Sequence, residues 1–565
     1  MIRHILWQAA LAFLGIILVF IVLFQIIPAE EPPVETVEVP AKGGTYVEGV
    51  LGLAEVINPI LAPIAVQANP VDQDLSVLVF DGLTAIDETG LVVPALAEGW
   101  EVAEDGSVYE FRLRQDVTWH DGAPFTAGDV AFTVQAMQDP GYQGDPNLSE
   151  LWKNVTVYVV DDYTVRFTLD EPFPSFLYYT TVGLLPLHLL GNVPAAELPS
   201  HPFSTEEPVG TGRFKVVRRS PDQVVLAVNP DHWRTEEFYL EEVAFWFYGD
   251  WDSLLVDYEQ GVVHGFHPPG LQELAALVEM PSLHLYSAQS AGYGIVYLNL
   301  QSESLPFFQE KEVRQSLLYL LDRQALIDES LQGQGVVAHS PVLPTTWAYE
   351  PTVQQYGYDP ERAVGLLDAS GWQDTDADMI RDKEGVALAF TLLTSEDPVR
   401  LQMAQQIAEQ WRVGGVDVTV RPVSSNAETD LVWARDYDAA LIEVSLSADP
   451  DPYPLWHSTQ GESGQNFSGF ANEEADLLME AGRVTIDREE RAELYRSFQH
   501  LFAEEVPSLL IYYPIYTYAV DEKVEDVQLS PMFHASDRFR NVANWYMRTE
   551  DVVVNGTEEL DKSSE

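Results

Sequence analysis

The sequence predicts a multidomain α/β protein, and three observations lead there. At 565 residues the chain is longer than one ordinary domain, so two to four domains are expected. Its second half alternates helix and strand signals, the pattern of an α/β lobe with a largely parallel sheet. Its first half holds a β-rich unit, from Val79 to Val134, that leads into a helix.

At the N-terminus, residues 5–27 form an apolar run interrupted by Gln8 and nearly closed by Gln25. At about 1.5 Å per residue the run reaches across a hydrocarbon core of roughly 30 Å. It exceeds the apolar core of a cleaved signal peptide, so a retained membrane anchor is expected over a cleaved signal. Arg3 and His4 precede it, and Glu30, Glu31, Glu35 and Glu38 follow. The basic flank marks the cytoplasmic side and puts the rest of the chain outside. Residues 28–43 read as an acidic, proline-rich linker.

In the body, Gly44 to Leu53 reads as a strand, Asn58-Pro59 as a break and Asp74 to Phe80 as a short helix. Asp105-Gly106 is a turn pair. Tyr109, Phe111 and Leu113 then alternate with polar residues, as in a half-buried strand. Thr126 and Asp129 form a short-armed capping box. Val155 to Leu169 reads as a hairpin turning at Asp161-Asp162, and a second hairpin surrounds Ser220-Pro221-Asp222. Lys311 to Leu331 reads as one helix stopped by Gly333. Asp359-Pro360 and Asp397-Pro398 each open a helix with an N-cap and a proline at the first position. Val416, Val418 and Val420 alternate as a strand, and the polar residues from 549 to 565 read as a disordered acidic tail.

Charge is the outlier. There are 89 acidic and 30 basic residues, a formal net charge of −59. Such a chain repels nucleic acid, and no nucleic-acid partner is expected. It has no cysteine, which removes disulfides, thiol chemistry and a lipid-modified N-terminal cysteine. No HExxH, GxSxG, SxxK or GxxxxGK[ST] occurs, so no enzyme activity and no cofactor are expected. His264 and His267 are three apart, but the adjoining Pro268-Pro269 argues against helical metal-ligand spacing. Asp374, Asp376, Asp378 and Asp382 resemble part of a calcium loop. Met379 and Gly385 stand where such a loop needs glycine and glutamate, so a solvated acidic loop is favoured over a weak Ca²⁺ site.

Several words in the chain carry more than periodicity. They are VPALAEGW (93–100), EFRLR (110–114), WHDGAPFTAGDV (119–130), PVGTG (208–212), NPDHW (229–233), VRQSLLYLLDR (313–323), YDPERAVGLLDASGW (358–372) and DPDPYPLWHS (449–458). Together they resemble the extracytoplasmic solute-binding proteins of the peptide and nickel ABC-transporter family, over roughly residues 44–548. That resemblance implies a two-lobed α/β periplasmic-binding-protein fold of the large, type II kind, with an extra small domain. Lobe I would comprise 44–75, 205–290 and 508–548, the extra domain 76–204, and lobe III 291–507. The implied activity is capture of a peptide or related solute between the lobes, followed by hinge closure. The implied partners are permease transmembrane subunits with separate ATPase subunits, met by a monomeric binding protein. A membrane-anchored sensor, or a binder of oligosaccharide or metal-chelate ligands, is the alternative.

The resemblance also suggests cleft residues. Asn58 would lie near the cleft, against a plain turn-forming role. Trp433 and Trp456 would offer aromatic walls, against core packing. Ser445, Ser447, Asp449 and Asp451 belong to the run 443–452, where peptide-binding relatives keep an aspartate for the ligand's α-amine. If Pro452 is the matching proline, Ala448 stands at that aspartate's place. Arg400 approximates the place of a carboxylate-holding arginine, against an ordinary helix-surface arginine. These positions suggest that a free α-amine is not strictly required.

Overall fold

A computed structural model describes residues 2–26, 35–62, 69–234 and 238–554. Two compact units divide the chain: Met1–Lys42 with Arg548–Glu565, and Gly43–Met547. In the first unit, strand Glu35–Pro40 pairs antiparallel with Thr549–Val554. This corrects the sequence reading twice. Part of the expected linker is a strand, and so is the start of the expected disordered tail. Residues 28–34 and 555–565 lie outside the described residues, with the rest of those two expectations.

Ile2–Ile26 forms one helix. Among the described residues, however, no helix is long and apolar enough to cross a membrane. The expected membrane anchor is therefore not supported.

In the second unit the same local chemistry starts helix after helix. Asn69, Asp145, Asp359 and Asp397 each cap a helix whose first residue is proline: Pro70–Val79, Pro146–Lys153, Pro360–Ala369 and Pro398–Val413. Each cap satisfies an otherwise orphaned amide and is worth about 1 kcal/mol. Thr126 and Asp129 close the expected capping box before Ala127–Gln138. The single helix expected from Lys311 to Leu331 is two, Lys311–Tyr319 and Arg323–Ser330. The second starts afresh because the Asp322 side chain accepts the Ala325 amide.

One long strand, Ser508–Asp521, organises the main sheet. Its first part pairs with Gly292–Leu298, beyond which lie Ala439–Ser445, Ala389–Ser395 and Asp417–Val423. Its second part pairs with Leu283–Gln289 and Gly265–Phe266. From there the sheet continues through Thr45–Leu51, Glu242–Tyr248, Gln223–Val228 and Phe214–Ser220. The partners change around Pro514, whose carbonyl accepts the Ser290 amide at 2.9 Å. The second-lobe sheet is mixed rather than largely parallel. Beside its parallel trio lies Gly292–Leu298, antiparallel to Ala439–Ser445, and then Ser508–Asp521, antiparallel in turn to Gly292–Leu298.

Each half of the sheet has its own core. The first half shares a core with a four-stranded sheet built from Ala97–Val102, Val108–Leu113, Thr164–Leu169 and Val155–Asp161. The second half packs apolar clusters on both faces. A buried charge cluster knits the first half together. Arg538 holds Glu48 at 2.9 Å and Asp74 at 2.5 Å, while the Tyr46 and Tyr518 hydroxyls donate to Glu48. Residues far apart in sequence are thereby fixed to one another.

The glycines of PVGTG also find their reason. A Cβ on Gly210 would stand 1.8 Å from the Val79 carbonyl oxygen, and one on Gly212 would stand 2.5 Å from the Val79 carbonyl carbon. The chain presses against the end of helix Pro70–Val79 more closely than a side chain allows.

Candidate functional site

In open α/β sheets, ligands meet the crevice at the carboxyl ends of the strands. Here those ends belong to Ala389–Ser395 and Ala439–Ser445, next to the crossover strands. The sequence places Arg400, Glu443, Ser445, Ser447, Asp449 and Asp451 on or just beyond them.

The most tightly built part is an arginine cluster. Asp449 is 5% exposed and accepts two bonds from Arg491, at 2.7 and 2.8 Å. Arg491 also donates to the Gly482 carbonyl, the Tyr495 hydroxyl and Ser175 Oγ. Burial alone would lower the Arg491 pKa, but the adjacent Asp449 carboxylate outweighs it and raises that pKa. Asp451 lies 3.1 Å from Arg483. Burial pushes the Asp451 carboxyl up, and Arg483 opposes that shift. The Arg483 guanidinium sits 4.3 Å from the Tyr453 ring centroid and 5.3 Å from that of Phe173. Ser175 and Phe173 come from the segment after the four-stranded sheet, so this cluster ties that segment to the second lobe.

Arg400 lies on the first turn of Pro398–Val413 and donates to Glu428 at 3.0 Å. Ser445 is exposed opposite Gly292, and Ser447 donates to the Asp449 carbonyl. Trp433 is 47% exposed with its ring edge-on to Phe467. Trp456 is 1% exposed and packs on Tyr297 and Phe502, which makes it a core residue. Asn58 is fully buried; its side chain donates to Ser204 and accepts the Ile60 amide, as a turn residue does.

The carboxylates of Asp374, Asp376 and Asp378 converge within 4.8 Å and are exposed. Asp382 is turned instead to the Thr375 hydroxyl and amide. His264 Nδ1 accepts the Val47 amide, and His267 stacks on Tyr516, so these two histidines are separately engaged. Sequence reasoning passed over Arg491, Arg483, Glu428, Glu443 and Ser175. The available signal was electrostatic: with 30 basic residues in the whole chain, arginines in apolar helix positions imply buried acid partners.

Comparison with known proteins now bears on this geometry. A family model described as bacterial extracellular solute-binding proteins, family 5 (middle) matches residues 92–466. The chain belongs to that family. The oligopeptide-binding protein AppA of Bacillus subtilis (strain 168) is 29% identical over 519 residues, covering 90% of this chain and 92% of that protein. The di/tripeptide-binding protein 1 of Pseudomonas aeruginosa is 28% identical over 487 residues, covering 80% and 86%. Among solved structures, AppA from Bacillus subtilis in complex with a nonapeptide matches with a TM-score of 0.67 and 28% identity, covering 90% of this chain and 100% of that one. NikZ from Campylobacter jejuni in complex with Ni(L-His) matches with a TM-score of 0.69 and 25% identity, covering 89% and 99%. The fold of this family 5 protein is therefore the mixed α/β, two-lobed one that the sequence words implied. Its family is one of extracellular solute binders rather than enzymes.

Proposed function

We propose that this family 5 protein is the solute-binding component of an ABC importer and captures peptides between its lobes. The observation that carries this is its near full-length similarity to AppA, solved with a nonapeptide. The lobes are 44–75, 205–290 and 508–548 for the first, and 291–507 for the second, with 76–204 as the extra domain, except that the first part of Ser508–Asp521 pairs with Gly292–Leu298 and so belongs to the second lobe. The strand Ser508–Asp521 and the pair Leu283–Gln289 and Gly292–Leu298 are the hinge. Rotation there opens and closes the crevice, and the closed form delivers its solute to a membrane permease. The Arg491–Ser175 contact supports closure, because it joins the extra domain to the second lobe. Ser445, Ser447 and Trp433 are the cleft-facing members of the suggested set. Asp449 and Asp451 shape the cleft through their arginines. The protein binds and does not cleave its solute.

Small-angle scattering on the full chain, with and without an oligopeptide, tests this. Compaction on addition of peptide is expected. An unchanged scattering profile at saturating peptide, or accumulation of hydrolysed peptide, would overturn the reading.

A further inference from the structure

His457 follows the short helix Tyr453–Trp456, and its side chain is 2% exposed. Its ring is held from two sides. It stacks on Tyr453 with centroids 4.0 Å apart, and Nδ1 lies 2.8 Å from the Thr459 hydroxyl. The other ring nitrogen, Nε2, is buried and has no hydrogen-bond partner. It faces two carboxylates of helix Glu473–Val484, with Glu480 Oε1 at 3.3 Å and Asp476 Oδ1 at 3.7 Å. Asp476 and Glu480 are four residues apart and so lie on one side of that helix. Asp476 is held by the Ser458 amide at 2.9 Å, whereas Glu480 is 56% exposed. One inward nitrogen and two carboxylates from a different element therefore meet at the surface.

The separations distinguish a shared proton from a shared metal ion. An imidazolium paired with a carboxylate closes to about 2.7–2.9 Å, and the exposed Glu480 side chain has the freedom to close that far. Ligands of one metal ion stand further apart. With bonds of about 2.0–2.1 Å in a tetrahedral site, neighbouring donor atoms are about 3.3–3.4 Å from each other. A proton on Nδ1, donated to the Thr459 hydroxyl, turns the Nε2 lone pair toward the two carboxylates, which is how the tautomer of a metal-bound histidine is fixed. We propose that His457, Asp476 and Glu480 bind one divalent transition-metal ion, Zn²⁺ foremost, with Glu480 turning onto it from the solvent side and water in the fourth place. An imidazole with two carboxylates suits Zn²⁺ better than Ca²⁺, which takes oxygen ligands. The ion pins the loop after Trp456 to helix Glu473–Val484. The acid excess of the chain does not account for the site, because a buried imidazole nitrogen without a partner is not a feature of surface composition.

Competition with a chromophoric chelator tests it, on the full chain stripped with EDTA and then titrated with ZnCl₂. One Zn²⁺ per chain should be withheld from the chelator. Glu480→Gln should weaken that site at least tenfold, since even a change to the outer partner of a metal ligand costs about 10–100-fold. Its exposed position should leave the thermal midpoint of the metal-free protein in place. His457→Gln should weaken the site as much; if that variant does not fold, Glu480→Gln decides alone. Asp374→Asn combined with Asp376→Asn should keep the site, which controls for ions held loosely by exposed acids. Co²⁺ in place of Zn²⁺ should give the visible absorption of a four-coordinate ion in the wild type and not in Glu480→Gln. No ion withheld by the wild type, as a plain His457–Glu480 ion pair would give, would overturn the site. So would undiminished affinity in Glu480→Gln or in His457→Gln, or loss of the ion in the Asp374 and Asp376 variant. Peptide capture stands or falls separately.

Discussion

Removal of the Arg491 guanidinium is the sharpest perturbation of the site. Arg491 is 4% exposed and is the bidentate partner of Asp449, itself 5% exposed. Arg491→Met keeps the volume of the stem but leaves Asp449 charged and enclosed. Breaking a buried pair in this way costs about 3–5 kcal/mol. The bonds to Gly482, Tyr495 and Ser175 go with it, so the upper part of that range is expected. Urea unfolding followed by tryptophan fluorescence should show the loss as a lower midpoint. The double variant Asp449→Asn, Arg491→Met should recover more than half of it, because the stranded charge is gone. A loss below about 1 kcal/mol, or a double variant no more stable than the single one, would refute the claim that Asp449 is paired internally rather than kept for solute.

Three further outcomes are expected. Burial raises the Asp74 carboxyl from 3.8 to about 6 in the folded protein, with Arg538 opposing. The folded state therefore holds more protons than the unfolded one between those values, and this group makes stability fall as pH rises from about 4 to about 6. Melting temperatures across that interval should show a shallower fall in Asp74→Asn, and an unchanged slope would contradict the assignment. Gly210→Ala should cost several kcal/mol by forcing the chain off the end of Pro70–Val79, read as a lowered thermal midpoint; near-wild-type stability would show that the close approach is not required. Raising salt from 0.1 to 1 M shortens the screening length from about 10 Å to about 3 Å, so a chain of net charge −59 should melt at a higher temperature in 1 M salt. A flat or falling midpoint would argue against surface self-repulsion.

Much of the fold was legible because its signals are local. The Asn-Pro and Asp-Pro starts, the Thr126 capping box and the alternating strand at Tyr109 each depend on neighbours within a turn. The family words added what periodicity cannot supply, the return of the chain to its first lobe. What local pattern missed was set by distant partners. Residues 311–331 read as one helix, since no glycine or proline interrupts them, yet Asp322 is free to cap and does so. The antiparallel pairings of Gly292–Leu298 with Ala439–Ser445 and with Ser508–Asp521 could not be read, because they join strands far apart in the sequence. The pairing of Thr549–Val554 with Glu35–Pro40 joins opposite ends of the sequence and leaves no local trace. At the site the same limit applied more strongly. Asp449, in the loop after strand Ala439–Ser445, reads as an available acid until Arg491, on helix Arg488–Glu505, is brought against it. Trp456 reads as either a cleft aromatic or a core residue, and its short helix turns it into the core.

The central claim is that this family 5 protein holds a peptide between its lobes. Native mass spectrometry of the full chain, purified without denaturation and then given an equimolar set of peptides two to nine residues long, addresses it most directly. The account predicts a complex with one peptide per chain that survives dilution and releases the peptide intact when the protein is unfolded. A spectrum showing only the free chain, or peptides recovered shortened, would contradict it.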